Sequence, residues 1–101
     1  LGKDLSKVKH RDVGGNNPLQ HLGALQQGEK QTLSFAPDGK PINVCFQSSA
    51  PVLVEVVANK DNAVVWSYHG VSGQYHYAMG PDFSVKISAP AGDTTYLLLI
   101  N

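Results

Sequence analysis

From residue 31 to residue 100 the chain keeps a two-residue rhythm broken by short turn clusters, and this rhythm restricts its fold more than any other feature. Thr32-Leu33-Ser34-Phe35 alternates polar and apolar, and Ile42, Val44 and Phe46 alternate with Asn43, Cys45 and Gln47. Such alternation sets one side of a strand toward a core and the other toward water. Val52–Ala58 is rich in β-branched residues, with Glu55 marking its wetter face. Ala63–Tyr68, Gln74–Met79, Phe83–Ala89 and Thr94–Ile100 continue the series. Between them stand Pro37–Pro41, Ser48–Pro51, Asn59–Asn62, His69–Gly73, Gly80-Pro81 and Pro90–Asp93, rich in the Gly, Pro, Asn, Asp and Ser that turns select.

This predicts seven strands at spacings of about 8–12 residues, the mark of an antiparallel sandwich or barrel. A single flat layer would expose the apolar sets of Val52–Ala58 and Thr94–Ile100. The fold class expected is therefore all-β, an antiparallel two-sheet β-sandwich, jelly-roll or Ig-like, of 7–8 strands. Thr94–Ile100 is nearly all apolar from Tyr96 onward and reads as a central strand covered on both faces.

Residues 18–30 allow two readings. Asn17-Pro18 with Leu19, Leu22 and Leu25 resembles a capped helix closed by Gly28. Gly23 weakens that reading, because Gly costs about 1 kcal/mol relative to Ala inside a helix. The preferred reading is a hairpin, with Leu22–Leu25 as one arm, Gln26–Glu29 as the turn and Gln31–Phe35 as the other arm. The Leu22–Leu25 arm is then the eighth strand.

Charge divides the chain. Eight basic and eight acidic residues cancel. Residues 1–12 hold Lys3, Lys7, Lys9 and Arg11 against Asp4 and Asp12, a balance of +2, which leaves −2 for residues 13–101. The start at Leu1 reads as a processed or excised end. Residues 1–17 read as a flexible basic leader or linker, and residues 18–101 as a single β-sandwich domain. Net neutrality argues against nucleic acid as a partner. No apolar run reaches the ~18 residues of a membrane-spanning helix, so no membrane insertion is expected. At 10.8 kDa about two-thirds of the surface is buried on folding, leaving roughly 5,500 Å² exposed. That is a core able to stand without staples. The single cysteine excludes an intrachain disulfide framework and a multi-cysteine zinc site.

Catalytic chemistry finds little support. His10, His21, His69 and His76 lack zinc-site spacing, although His69 and His76 could approach each other across a hairpin. Gly70-Val71-Ser72-Gly73 falls one residue short of a G-x-S-x-G nucleophile elbow and no helix follows it. No positive charge near Cys45 in sequence would favour a thiolate. No catalytic residue, metal site or cofactor is expected.

The stronger lead is aromatic. Trp66, Tyr68, Tyr75 and Tyr77 fall within twelve residues and bracket the 69–73 loop, with His69 and Gln74 adding hydrogen-bonding groups. Trp and Tyr join an apolar face to a polar tip, which suits recognition of carbohydrate or protein. These six residues form the candidate ligand site. The competing reading is plain cross-strand aromatic packing.

Gly23-Ala24-Leu25-Gln26-Gln27-Gly28-Glu29, followed by Lys30–Phe35, resembles the opening of bacterial pre-peptidase C-terminal-type domains. Phe83–Ile87, Ala91-Gly92-Asp93 and Thr94–Ile100 with Tyr96 look like the last two strands of that family. No Asp-rich calcium pattern is present. The resemblance implies a secreted or periplasmic β-sandwich, a non-catalytic accessory domain in a larger parent polypeptide. The alternative is an assembly subunit or inhibitor/immunity-type protein that docks a partner through a sheet edge, the partners being a parent polypeptide or a homo-oligomer.

Overall fold

Seven strands account for nearly all of the backbone described in the computed structural model, which covers residues 3–13, 19–37, 42–77 and 82–100. In chain order they are β1 (Lys3–Val13), β2 (Leu19–Leu25), β3 (Glu29–Pro37), β4 (Ile42–Ala58), β5 (Ala63–Tyr77), β6 (Phe83–Ser88) and β7 (Thr94–Ile100). No helix occurs among the described residues. Residues 19–30 are strand and turn, Pro18 lies outside the described residues, and the helical reading fails.

The strands make one sheet in the order β1-β3-β6-β4-β7-β2, with β5 on the other side of β4. All pairings are antiparallel except that of β1 with β3. Two separate sheets were expected; a single sheet that curls on itself replaces them. The reason lies in β4. Its first part, Val44–Ser48, pairs with β7, while Leu53–Ala58 pairs with β6. β5 runs beside both parts, with a register break between Gln47 and Val52. An irregularity of this kind bends a strand. The 48–51 segment, expected as a loop between strands, is that bend. Thr94 and Ser49 fix it: the Ala50 N–H donates to Thr94 Oγ1 at 3.0 Å, and the Thr95 N–H to Ser49 Oγ at 3.0 Å.

The bend turns the two halves of the sheet to face each other. Leu25, Val44, Phe46, Tyr96, Leu98 and Ile100 from one half meet Leu33, Phe35, Val52, Val54, Val56, Phe83, Val85 and Ile87 from the other in one buried cluster. Phe35 and Phe83 are direct cross-strand partners with stacked rings 5.3 Å apart. The exposed surface, 5437 Å², is what one core of this size should leave.

The Gln26–Glu29 turn is where the sequence placed it, yet its strands do not pair with each other. β2 joins β7 in one half and β3 joins β6 in the other, so the turn is a corner between halves. Gly28 takes φ 85° there, a conformation that side chains disfavour. The Glu29 N–H donates to the Gln26 carbonyl at 2.9 Å, and the Gln26 N–H to Glu29 Oε1 at 2.7 Å. The link from β6 to β7 crosses beside it and is tied on by Gly28 N–H to Ala89 O at 2.8 Å and Gln27 N–H to Asp93 Oδ1 at 2.9 Å.

Two further expectations change. Lys3–Val13, read as part of a flexible leader, runs as β1 parallel to β3. β7 is interior to the sheet and buries Tyr96, Leu98 and Ile100, but Leu97 and Leu99 stay half-buried on the outer face. Its second face is not covered by the described residues.

Candidate functional site

The candidate site lies on β5, and the structure splits its members between two faces. Direct cross-strand partners share a face. Trp66, Tyr68 and Tyr75 stand opposite Val56, Val54 and Val44, whose side chains are in the core. His69 stands opposite Leu53 and Gln74 opposite Cys45, on the outer face. The backbone of Tyr77 pairs with Ile42; its side chain lies outside the described residues.

His69–Gly73, expected as a loop, is continuous strand. The inward set shifts from even to odd numbers across it: Trp66, Tyr68 and Gly70 on one side of the bend, Gly73 and Tyr75 on the other. This shift puts Tyr75 on the same concave side as Trp66 and Tyr68. Trp66 and Tyr75 are nine positions apart, about 30 Å along an extended strand, yet their ring centroids lie 5.4 Å apart at 20°. β5 therefore folds back with β4, and the aromatic rings close the mouth between the two halves of the sheet.

Within that mouth Trp66 also stacks on Tyr68, at 5.9 Å and 2°, and Phe46 meets both rings at 6.4 and 6.0 Å, tilted by 59° and 58°. Trp66 and Tyr75 are half-buried against the core, whereas Tyr68 is 45% exposed. Cross-strand packing thus accounts for two of the rings. The third faces solvent.

Glycine sets these ring positions. A Cβ on Gly73 would stand 2.7 Å from Phe46 Cε1 and 3.1 Å from Tyr68 Cδ2, and one on Gly70 would stand 3.0 Å from the Tyr68 ring. The two glycines that read as loop punctuation are the floor on which Phe46 and Tyr68 lie. Phe46, missing from the sequence-level site, is the buried support beneath it. Its alternation with Cys45 marked it only as core.

On the outer face His76 Nδ1 hydrogen-bonds Asn43 Oδ1 at 3.0 Å. His69 and His76 occupy opposite arms of the same strand, not facing arms of a hairpin. Cys45 is half-buried in a shallow groove of about 420 Å³ with Leu97, Leu99, Gln47, Ser72 and Gln74. Burial pushes its thiol pKa up, so the nucleophilic thiolate is disfavoured. Among the described residues no three His, Cys, Asp or Glu side chains gather where a metal could be held. What the site offers is an aromatic, uncharged contact surface.

No family model matches the chain, and no curated protein matches it. A solved structure does: the pre-peptidase C-terminal domain of a collagenase from Bacillus anthracis aligns over 95% of this chain and 95% of its own, with TM-score 0.70 and 12% identity. This chain has the pre-peptidase C-terminal fold. PliG of Aeromonas hydrophila, a periplasmic inhibitor of g-type lysozyme, is similar over 98% of both chains, with TM-score 0.65 and 9% identity. PliG of Salmonella Typhimurium covers 94% of this chain and 96% of its own, with TM-score 0.58 and 14% identity. At these identities the likeness is one of fold.

Within the pre-peptidase C-terminal fold of this chain, the residues that carried the sequence resemblance have visible work. Gly28 and Glu29 build the corner between halves. Gly23 is the direct partner of Tyr96, whose ring lies across it: a Cβ there would stand 2.5 Å from Tyr96 Oη and 2.6 Å from Cε1. The opening motif and the last strand are one contact.

Proposed function

We propose that this chain is a non-catalytic binding domain of an exported protein, secreted or periplasmic, acting as an accessory or inhibitor-type module on a protein ligand. The observation that carries the reading is the stack Tyr68–Trp66–Tyr75, held on a glycine floor with Tyr68 turned to solvent. Large aromatic anchors at an exposed, otherwise uncharged surface suit protein recognition. Carbohydrate is the weaker fit. A sugar-binding ring needs an open face ringed by hydrogen-bonding groups, but one face of Tyr68 lies against Trp66, and His69 and Gln74 point to the other side of the sheet. The binding unit comprises residues 18–101, with Lys3–Val13 added as an edge strand. The fold neighbours include an inhibitor and a domain of a collagenase, which supports a role without chemistry of its own.

The test is binding of wild type and Tyr68→Ala to g-type lysozyme, collagen, chitin, cellulose and peptidoglycan. The reading expects a protein probe to bind and Tyr68→Ala to weaken it about tenfold or more, as loss of an aromatic anchor does, with an unchanged far-UV spectrum. Binding confined to the polysaccharides, and lost in Tyr68→Ala, would replace protein with carbohydrate as the ligand.

A further inference from the structure

The sheet ends in three edges, and one of them lacks the usual protection. β1 carries Lys3, Lys7, Lys9 and Arg11 with two aspartates in eleven residues, and charges along an edge oppose pairing with another sheet. β2 is seven residues long. β5, from Ala63 to Tyr77, has fifteen residues without a single Asp, Glu, Lys, Arg or Pro. Five large hydrophobic side chains are exposed among the described residues, and four of them, Val64, Val65, Tyr68 and Val71, are on β5. Among the described residues no strand pairs with its free edge. That edge presents a row of backbone donors and acceptors ready for a partner strand.

Only part of β5 is straight enough to serve. A register break beside Val57 leaves Val65 as an extra residue, and the bend begins at Gly70. Between them Trp66–Gly70 pairs with Val52–Val56 without interruption. We propose that two copies of this chain pair antiparallel along Trp66–Gly70, centred on Tyr68, joining their sheets across a two-fold axis.

The register is self-complementary. Tyr68 meets Tyr68 of the second copy, and Trp66 meets Gly70 of the second copy. On the other face Ser67 meets His69, both exposed and polar. A two-fold interface places each residue's own kind nearby, so a charged edge would repel itself; this one has no charge to do so. The pairing goes beyond the ligand reading in using the backbone edge, and because Tyr68 lies at its centre, a protein ligand seated on Tyr68 and the second copy exclude one another.

Sedimentation velocity over a concentration series tests it. Wild type should show a monomer–dimer equilibrium with Kd of about 10–100 μM, fitting a small interface. Ser67→Lys, which sets a charge on each copy beside the axis, should raise that Kd about tenfold or more. Leu22→Lys, on β2, should leave it unchanged. In a Cys45→Ser background, Tyr68→Cys should cross-link to dimer under oxidised glutathione, because directly opposed residues bring their Cβ atoms within about 5 Å; Gln74→Cys should not. The cross-link decides the matter should Ser67→Lys fail to fold. A wild type that stays monomeric to ~1 mM, an undiminished Ser67→Lys dimer, a dimer abolished by Leu22→Lys, or equal cross-linking at residue 74 would each overturn the proposal.

Discussion

Two tyrosine rings in this molecule lie across glycines, and the two differ in what surrounds the ring. Tyr96 over Gly23 is sealed, with the ring only 4% exposed. Tyr68 over Gly70 and Gly73 is open, with nearly half its surface in water. The first contact ties β2 to β7 and closes one half of the sheet. The second positions a side chain at the rim, where it costs little to hold and is free to touch something else. The same local device, a missing Cβ beneath a ring, serves the fold in one place and the candidate site in the other.

Phe46 links the open contact to the sealed core, so its removal should have the largest effect. Its ring is buried, touches the Trp66 and Tyr68 rings and lies over Gly73. Phe46→Ala should lower unfolding free energy by about 3–5 kcal/mol, measured by urea denaturation, and should also loosen the Trp66–Tyr68 stack. A loss below about 1 kcal/mol would mean the rim is not supported from the core, since exposed substitutions cost that little.

Gly23→Ala comes next. The added methyl runs into the buried Tyr96 ring, and overpacking of a filled site costs about 1–3 kcal/mol. In a Tyr96→Ala background the same Gly23→Ala change should cost less than it does in wild type, because the clash disappears with the ring. Gly23→Ala alone at wild-type stability would show that the ring is not confined.

Confinement has a second, milder signature in pH. Burial pushes the Tyr96 hydroxyl up to about 12 from its ordinary 10. The unfolded chain therefore gives up this proton first. The contribution of the buried neutral hydroxyl is intact below pH 10 and falls as pH rises toward about 12, by up to about 1.4 kcal/mol per pH unit. Tyr96→Phe keeps the ring and has no proton to lose. Denaturation midpoints of the two proteins should diverge only above pH 10, with the wild type declining faster; parallel curves would remove the buried-hydroxyl account.

How much of this was legible beforehand depends on what the signal was. Alternation placed β3 and β6 well, because each strand has one core-facing side and one more polar side, and β7 stood out as a nearly continuous apolar run. Turn chemistry located Gln26–Glu29, but a corner and a hairpin use the same Gly and the same carboxylate, so the partner strands were not readable from it. β1 was hidden by its lysines, since an edge strand need not be hydrophobic. The largest miss was the joining of 42–47 to 52–58 and of 63–68 to 74–79. Ser49, Pro51, Gly70 and Gly73 look like breaks, and what they do is bend two strands that continue. The aromatic residues of the site stood out by density alone. Their face did not, because the shift from even to odd at Gly70–Gly73 exists only in the pairing with β4. That shift is also why His69 and Gln74 left the site.

Gly73→Ala is the smallest change and the one that separates the two contacts most sharply. Its Cβ would press on Phe46 Cε1 at 2.7 Å and on Tyr68 Cδ2 at 3.1 Å. Tyr68, unlike Tyr96, has solvent to swing into, so its part of the clash is relieved outward and only the contact with buried Phe46 must be absorbed by the core. The stability loss should be about 1 kcal/mol, the lower end of overpacking. The stack, however, should break, and Trp66 is the only tryptophan in the chain, so its near-UV circular dichroism and fluorescence report the stack without interference from another indole. The expected outcome is a near-native denaturation midpoint with an altered tryptophan signal, together with weaker protein binding as Tyr68 loses its place. A loss as large as that of Gly23→Ala would show that the rim is packed as tightly as the core, and Tyr68 would then be a structural residue that happens to be visible from outside.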